Sequence, residues 1–246
     1  MDNSIYISLS RQMAVFRDMS ATANNIANAD TPGYNAEKVM FTDYLVEDGN
    51  RHKMAFAQDI ASYRDTTNGP MQVTGNTFDL AISGPGYFAL ETGGGQVYTK
   101  AGNFTLGVDG LLMNPAGYPV LDNDGQQIFF EPTDRDIKIG ENGIISARSP
   151  AGDLEERGQI GLFEFEDEQK MERLNGQLYR TNQEPLEPVE ARILQGTLEK
   201  SNISAVSELV RSVELSRNVN STAKFIEVMY DLQRKTSNTY TKPAQS

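Results

Sequence analysis

The sequence predicts an α+β fold: long N- and C-terminal helices forming a coiled-coil-like layer, with a mainly antiparallel all-β central domain. Three observations predict it. Apolar residues recur at alternating steps of four and three near both ends, Asn-Gly and Asp-Gly pairs punctuate the middle, and prolines separate the regions. A repeat averaging about 3.5 residues marks a stripe along one side of a helix. Asn-Gly and Asp-Gly accept the positive φ that a tight antiparallel hairpin requires.

The first element runs from about Asp2 to Asn28. Ile5, Leu9, Gln12, Phe16, Met19, Ala23 and Ile26 form its stripe, Asp2 or Asn3 caps it, and Pro32 prevents its continuation. Residues 1–34 are therefore assigned to an N-terminal helix and the turn that ends it. Residues 35–68 keep no sustained period and are read as a partly extended connector, with a short strand or helical turn around Val39–Leu45.

Residues 69–188 are assigned to a β-rich central domain. Turn pairs fall at Asn68-Gly69, Asp109-Gly110, Asp124-Gly125, Asn142-Gly143 and Asn175-Gly176. Its expected core strands are Phe78–Ile82, Tyr87–Leu90 and Ile160–Phe165. Pro185 and Pro188 close it. Residues 189–246 form a C-terminal helical region, in which Ser204 is the expected N-cap and Glu208 suits the positive end of the helix dipole. Ile203, Val206, Val210 and Val213 carry its stripe, continued by Arg217, Asn220 and Lys224.

Lys+Arg is 22 against Asp+Glu 34, a formal charge of −12, which argues against nucleic acid and anionic membranes as partners. No run of about 18 apolar residues is present, so no membrane insertion is expected. The opening MDNSIYISLSRQM lacks the basic start, apolar block and small-residue cleavage site of a secretory signal. The expectation is residence in the cytoplasm or export without cleavage. With Cys at 0, disulfides, thiolate nucleophiles and Cys-ligated zinc all fall away.

No catalytic, cofactor-binding or metal site is predicted. His52, the one histidine, lies in the connector, and no Gly-x-Ser-x-Gly elbow accompanies it. Asp122-Asn123-Asp124-Gly125 has its glycine too early for a calcium loop and reads as a hairpin turn. Gly93-Gly94-Gly95 lacks the Lys-Ser/Thr ending of a phosphate loop. Nothing selects, among 34 acids, two at glycosidase separation; Glu164, Glu166, Asp167 and Glu168 read as a strand end running into an exposed turn.

The strongest local signal is Asn24-Asn25-Ile26-Ala27-Asn28 followed by Asp30-Thr31-Pro32-Gly33-Tyr34. Asparagine amides compete for backbone bonds, so the run marks a fraying helix end, or amides that bond across helix contacts and fix register. This segment resembles the N-terminal signature of bacterial flagellar rod and hook proteins. Gly75–Phe88, Tyr98–Phe104 with Asp109-Gly110, and Gly117–Leu121 are similar to the family's central blocks, and Gln195–Ile203 to the signature before its last helix. The opening Met1–Tyr6 and the length look most like a proximal rod subunit, with a distal rod subunit as the alternative; hook subunits are longer.

The resemblance implies a structural subunit of the basal-body rod in the periplasm, exported through the flagellar export apparatus without signal cleavage. Its implied partners are other proximal and distal rod subunits and copies of itself. The expected assembly interface is Ile5, Leu9, Phe16, Met19, Asn24, Asn25, Ile26, Asn28, Thr31, Gly33, Tyr34, Leu198, Ser201, Asn202, Val206, Val210, Val213, Arg217, Asn220, Phe225 and Met229. The two helical stripes are expected to close on each other and on neighbouring subunits. A secreted β-rich adhesin or carbohydrate-binding module, its ends serving as an oligomerisation stalk, is the competing reading.

Overall fold

The computed structural model describes residues 2–48, 52–174, 176–188 and 190–240, with side chains for all of these except 2–7, 42–48, 52–60, 233 and 236–240. The elements are α1 (Asp2–Ala27), β1 (Glu37–Asp48), β2 (His52–Arg64), β3 (Met71–Val73), β4 (Leu80–Ser83), β5 (Tyr87–Thr92) and β6 (Gly95–Thr99), then β7 (Thr105–Leu106), β8 (Leu112–Met113), β9 (Arg135–Ile139), β10 (Ile144–Arg148), β11 (Leu154–Gln159) and β12 (Leu162–Phe163). A 3-10 turn (Glu168–Lys170) precedes β13 (Glu172–Arg173), β14 (Tyr179–Arg180), β15 (Arg192–Gln195), β16 (Thr197–Glu199) and α2 (Ala205–Tyr240).

These elements form two units. A helical unit contains α1, the β1–β2 hairpin and α2; a β body contains Asn28–Ala36 and Asp65–Ile203. In the helical unit, α1 runs for 26 residues and α2 for 36. Ser204 caps α2 as expected, its Oγ accepting from the Ser207 N–H at 3.4 Å.

The connector expected at residues 35–68 is instead a long antiparallel hairpin, β1 pairing with β2 from Glu37↔Arg64 to Asp48↔His52. Its register shifts between Met40 and Phe41. Such a bulge flips side chains to the other face and breaks the two-residue alternation by which a strand is recognised.

In the body, five strands form an antiparallel sheet in the order β12-β5-β6-β14-β13. Both faces of its central strands are buried. Phe88 and Leu90 of β5 join Val97 of β6 in one apolar cluster with Leu80, Ile82, Phe104, Phe130, Ile145 and Ile193. Tyr87 and Ala89 point the other way, into a second cluster with Tyr98, Phe165, Met171 and Tyr179. Double burial explains why Tyr87–Leu90 reads as a continuous apolar run rather than an alternating one. Edge-to-face rings tie each cluster, Phe88–Phe104 at 5.2 Å and Tyr98–Phe165 at 4.6 Å between centroids.

The first cluster extends into a closed ring of three short extended segments. Leu112 N–H donates to the Ile128 carbonyl, Ile128 N–H to Val120, and Val120 N–H back to Leu112. All three side chains point inward and are buried. A second sheet, β11-β10-β9, adds Ile139 and Ile145 to the same core.

The pairs Asp109-Gly110 and Asn142-Gly143 turn the β7–β8 and β9–β10 hairpins, as expected. Asp124-Gly125 turns between the bridged residues Leu121 and Gln127. Asn175 lies outside the described residues. Asn68-Gly69 is not a hairpin turn: a Cβ on Gly69 would lie 1.8 Å from the Lys200 carbonyl oxygen, so close backbone approach demands glycine there.

Candidate assembly surface

In the body, segment 28–36 lies beside the chain from Thr197 to Ile203. Successive turns follow Asn28: Thr31 N–H donates to the Asn28 carbonyl at 3.1 Å, and Tyr34 N–H to the Thr31 carbonyl at 3.3 Å. Gly33 then presses on the backbone after β6. Its φ is +66°, and a Cβ there would sit 2.6 Å from Ala101 N. Its N–H donates to the Glu199 carbonyl at 2.9 Å. Any side chain would add both strain and collision.

Tyr34 is buried under Arg173. The guanidinium stands 4.5 Å from the ring centroid and donates to Tyr34 Oη at 3.0 Å, the Asn35 carbonyl at 2.8 Å and Tyr179 Oη at 3.2 Å. Burial works against this charge, but the facing Tyr179 and Tyr34 hydroxyls outweigh it and hold the arginine pKa above its ordinary value. Gln177 Nε2 donates to the Pro32 carbonyl at 2.8 Å. Asn202 closes the other side: Oδ1 accepts from Ala36 N–H at 2.8 Å, while Nδ2 donates to the Asp65 and Thr67 carbonyls at 2.7 and 2.9 Å. Gly33, Tyr34 and Asn202 thus fasten segment 28–36 across the body, while Thr31 bonds within the segment, Ser201 Oγ accepts from the Ile203 N–H at 3.3 Å, and Leu198 is half-buried in β16.

In the helical unit, the asparagine run does not fray the helix. α1 continues through Asn24 and Asn25 to Ala27. Asn25 is buried and pairs with one backbone residue twice: Nδ2 donates to the Glu37 carbonyl at 2.9 Å, and Oδ1 accepts from Glu37 N–H at 2.9 Å. The amide copies a rung of a β-ladder, and it bonds the hairpin rather than another helix. Asn24 is exposed, and Asn28 Oδ1 accepts from Thr31 Oγ at 3.3 Å.

The helical stripes occupy a different place from the one expected. Leu9 is 47%, Phe16 49%, Val206 73% and Val210 56% exposed, and Val213, Arg217, Asn220 and Phe225 are exposed as well. Met19, Ile26 and Met229 are half-buried, and the Ile5 side chain lies outside the described residues. The residues the chain itself covers best sit two positions further on: Ala14, Asp18, Ala21 and Asn25 in α1, and Ser212, Leu215, Val219, Thr222 and Ile226 in α2. Two residues are roughly 200° of helix, nearly the opposite side. The expectation that the apolar stripes close on each other within one chain is therefore not met. Small residues allow two backbones close approach, and Arg211 of α2 adds a hydrogen-bonded ion pair to Asp18 of α1 at 2.9 Å.

Sequence reasoning missed Arg173, Gln177, Glu199 and the Asp18–Arg211 pair; isolated charged and amide residues carry no periodic signal. Asp122 Oδ1 accepts from the Asp124 and Gln126 N–H groups, the bonding of a turn. The His52 side chain lies outside the described residues. Among the described residues, no helix is long and apolar enough to cross a membrane.

Three families match in chain order. "Flagella basal body rod protein" matches residues 5–35, "Flagellar hook protein FlgE/F/G D1 domain" residues 81–147, and "Flagellar basal body rod FlgEFG protein C-terminal" residues 194–239. The flagellar basal-body rod protein FlgF of Caulobacter vibrioides is 38% identical over 241 residues, covering 95% of this chain and 96% of the relative. FlgF of Mesorhizobium japonicum is 34% identical over 91% of each chain. FlgG of Bacillus subtilis is 29% identical over 91% of this chain and 93% of its own. With its two fastened signatures and its long terminal helices, the chain belongs to the flagellar basal-body rod proteins, a structural and non-enzymatic family, and within it is most like FlgF.

Proposed function

We propose that this chain is a structural subunit of the proximal rod, assembling through its terminal helices into the periplasm-spanning shaft that transmits torque from motor to hook. Its partners are other rod subunits and copies of itself, and it leaves the cell through the flagellar export apparatus without signal cleavage. Residues 1–34 and 189–246 supply the assembly segments, 69–188 the outer body and 35–68 the stretch between them. The relatives named FlgF support the proximal reading; those named FlgG keep a distal position as the alternative.

One observation carries the proposal: the apolar stripes of α1 and α2 stay exposed while smaller, more polar faces are covered. Each Leu, Phe or Val removed from water by a neighbour contributes about 1.5–3 kcal/mol, so several such contacts hold a subunit in place. Neighbouring helices packed along these stripes would complete a coiled-coil-like layer. A disulfide would hinder threading through an export channel, and the cysteine-free composition suits that route.

The test places Phe16→Asp and Val210→Asp, singly and together, in the bacterium that makes this protein. Each is expected to abolish incorporation into purified basal bodies while the β body remains folded. Normal incorporation and motility with both changes would end the proposal. Rescue of strains lacking either the proximal or the distal subunit separates the two positions.

A further inference from the structure

Glu199, the last residue of β16, is 3% exposed and bonds two other stretches of chain. Its carbonyl accepts from Gly33 N–H at 2.9 Å, and its Oε1 accepts from Gly69 N–H at 2.8 Å. Its Oε2 is buried with no hydrogen-bond donor. The same holds for Oε2 of Glu168 in the 3-10 turn, whose negative charge bears on Glu199. The nearby cation, Lys100, is also buried. Its ammonium donates to Asn68 Oδ1 at 2.8 Å and stands 5.6 Å from the Tyr87 ring centroid, so its attraction for Glu199 acts from a distance.

An ionised carboxylate with an unmatched buried oxygen costs far more than its neutral acid, and the neutral O–H can also donate. We propose that Glu199, buried where segments 28–36, 68–70 and 197–201 cross, is a proton-operated latch that holds the crossing closed when protonated and loosens it when ionised. Burial holds the Glu199 carboxyl above the ordinary glutamate value; attraction to Lys100 and the Gly69 N–H pull the other way, and repulsion from Glu168, the smallest of these effects, adds to the rise. Because the folded value is the higher one, the stabilisation is complete below the ordinary glutamate range. It is lost as pH rises through the raised value. The latch is therefore tight in acid and slackens as pH rises through the raised value.

Hydrogen exchange on the full chain between about pH 4 and 8, corrected for intrinsic exchange, reads the latch at the Gly33 and Gly69 amides. Amides of β5 report whether the body stays folded. In the wild type, protection at Gly33 and Gly69 is expected to be lost progressively as pH rises across that range, while protection in β5 stays constant. Glu199→Gln keeps the acceptor for Gly69 and cannot ionise, so its protection should be flat and as high as the acid-side wild type. Glu168→Gln removes the repulsion and should move the wild-type fall to lower pH. Wild-type protection that ignores pH, a Glu199→Gln profile that falls with the wild type, or a Glu168→Gln profile that coincides with it would each overturn the latch.

Discussion

The helical unit and the β body bury opposite things. In the body, the large apolar side chains are inside: Tyr87, Tyr179, Phe88, Phe104 and Phe130 are almost wholly covered. In the helical unit, the most covered residues are Ala14, Ala21, Thr22, Asn25 and Leu215, while Leu9, Met13, Phe16, Val206, Val210 and Phe225 face outward. Charge divides along the same line. The body holds 23 of the 34 acidic side chains but only 10 of the 22 basic ones, and so carries the whole net charge. A strongly acidic body repels its copies and stays soluble, whereas a near-neutral helical unit with outward apolar stripes lets copies approach. One region is finished as a monomer, and the other is arranged for neighbours.

The largest expected effect breaks the finished side. Phe88→Ala removes a ring packed on Phe104 and should destabilise the body by about 3–5 kcal/mol, read by urea denaturation. Arg173→Ala comes next. It leaves the Asn35 carbonyl and two tyrosine hydroxyls without this donor, and a loss of about 3 kcal/mol is expected from buried polar groups left unmatched. The same substitution should raise proteolysis within segment 28–36 before the rest of the body opens. Val210→Ala marks the small end: monomer stability should change by less than about 0.5 kcal/mol, as for exposed positions. If Val210→Ala cost the monomer as much as Phe88→Ala does, the contrast between the two regions would collapse.

Sequence patterns reached the body more fully than the helical unit. The runs at Phe78–Ile82 and Tyr87–Leu90 and the turn at Asn142-Gly143 pointed to their strands because large apolar residues and positive-φ turns are local properties. The hairpin escaped because one bulge at Met40/Phe41 erases its alternation. In the helices, periodicity picks out the most apolar stripe, and that is not the stripe a chain covers when alanines permit closer packing elsewhere. Asn25 was legible as unusual, but its partner, a backbone residue twelve positions on, was not. Gly33 and Tyr34 were readable as a turn; that Arg173 and Asn202 fasten them depends on contacts more than a hundred residues apart, which no local pattern encodes.

The chain passes between its two units four times, and their last pieces differ: Ile203 completes the body, whereas the helical unit waits for everything from Ser204 onward. A polypeptide emerging N-terminus first therefore has the whole body in hand before α2 exists. During that interval Asp18 of α1 lacks its Arg211 counter-ion. The order of emergence itself keeps the adhesive portion incomplete until the rest has settled, delaying premature clumping.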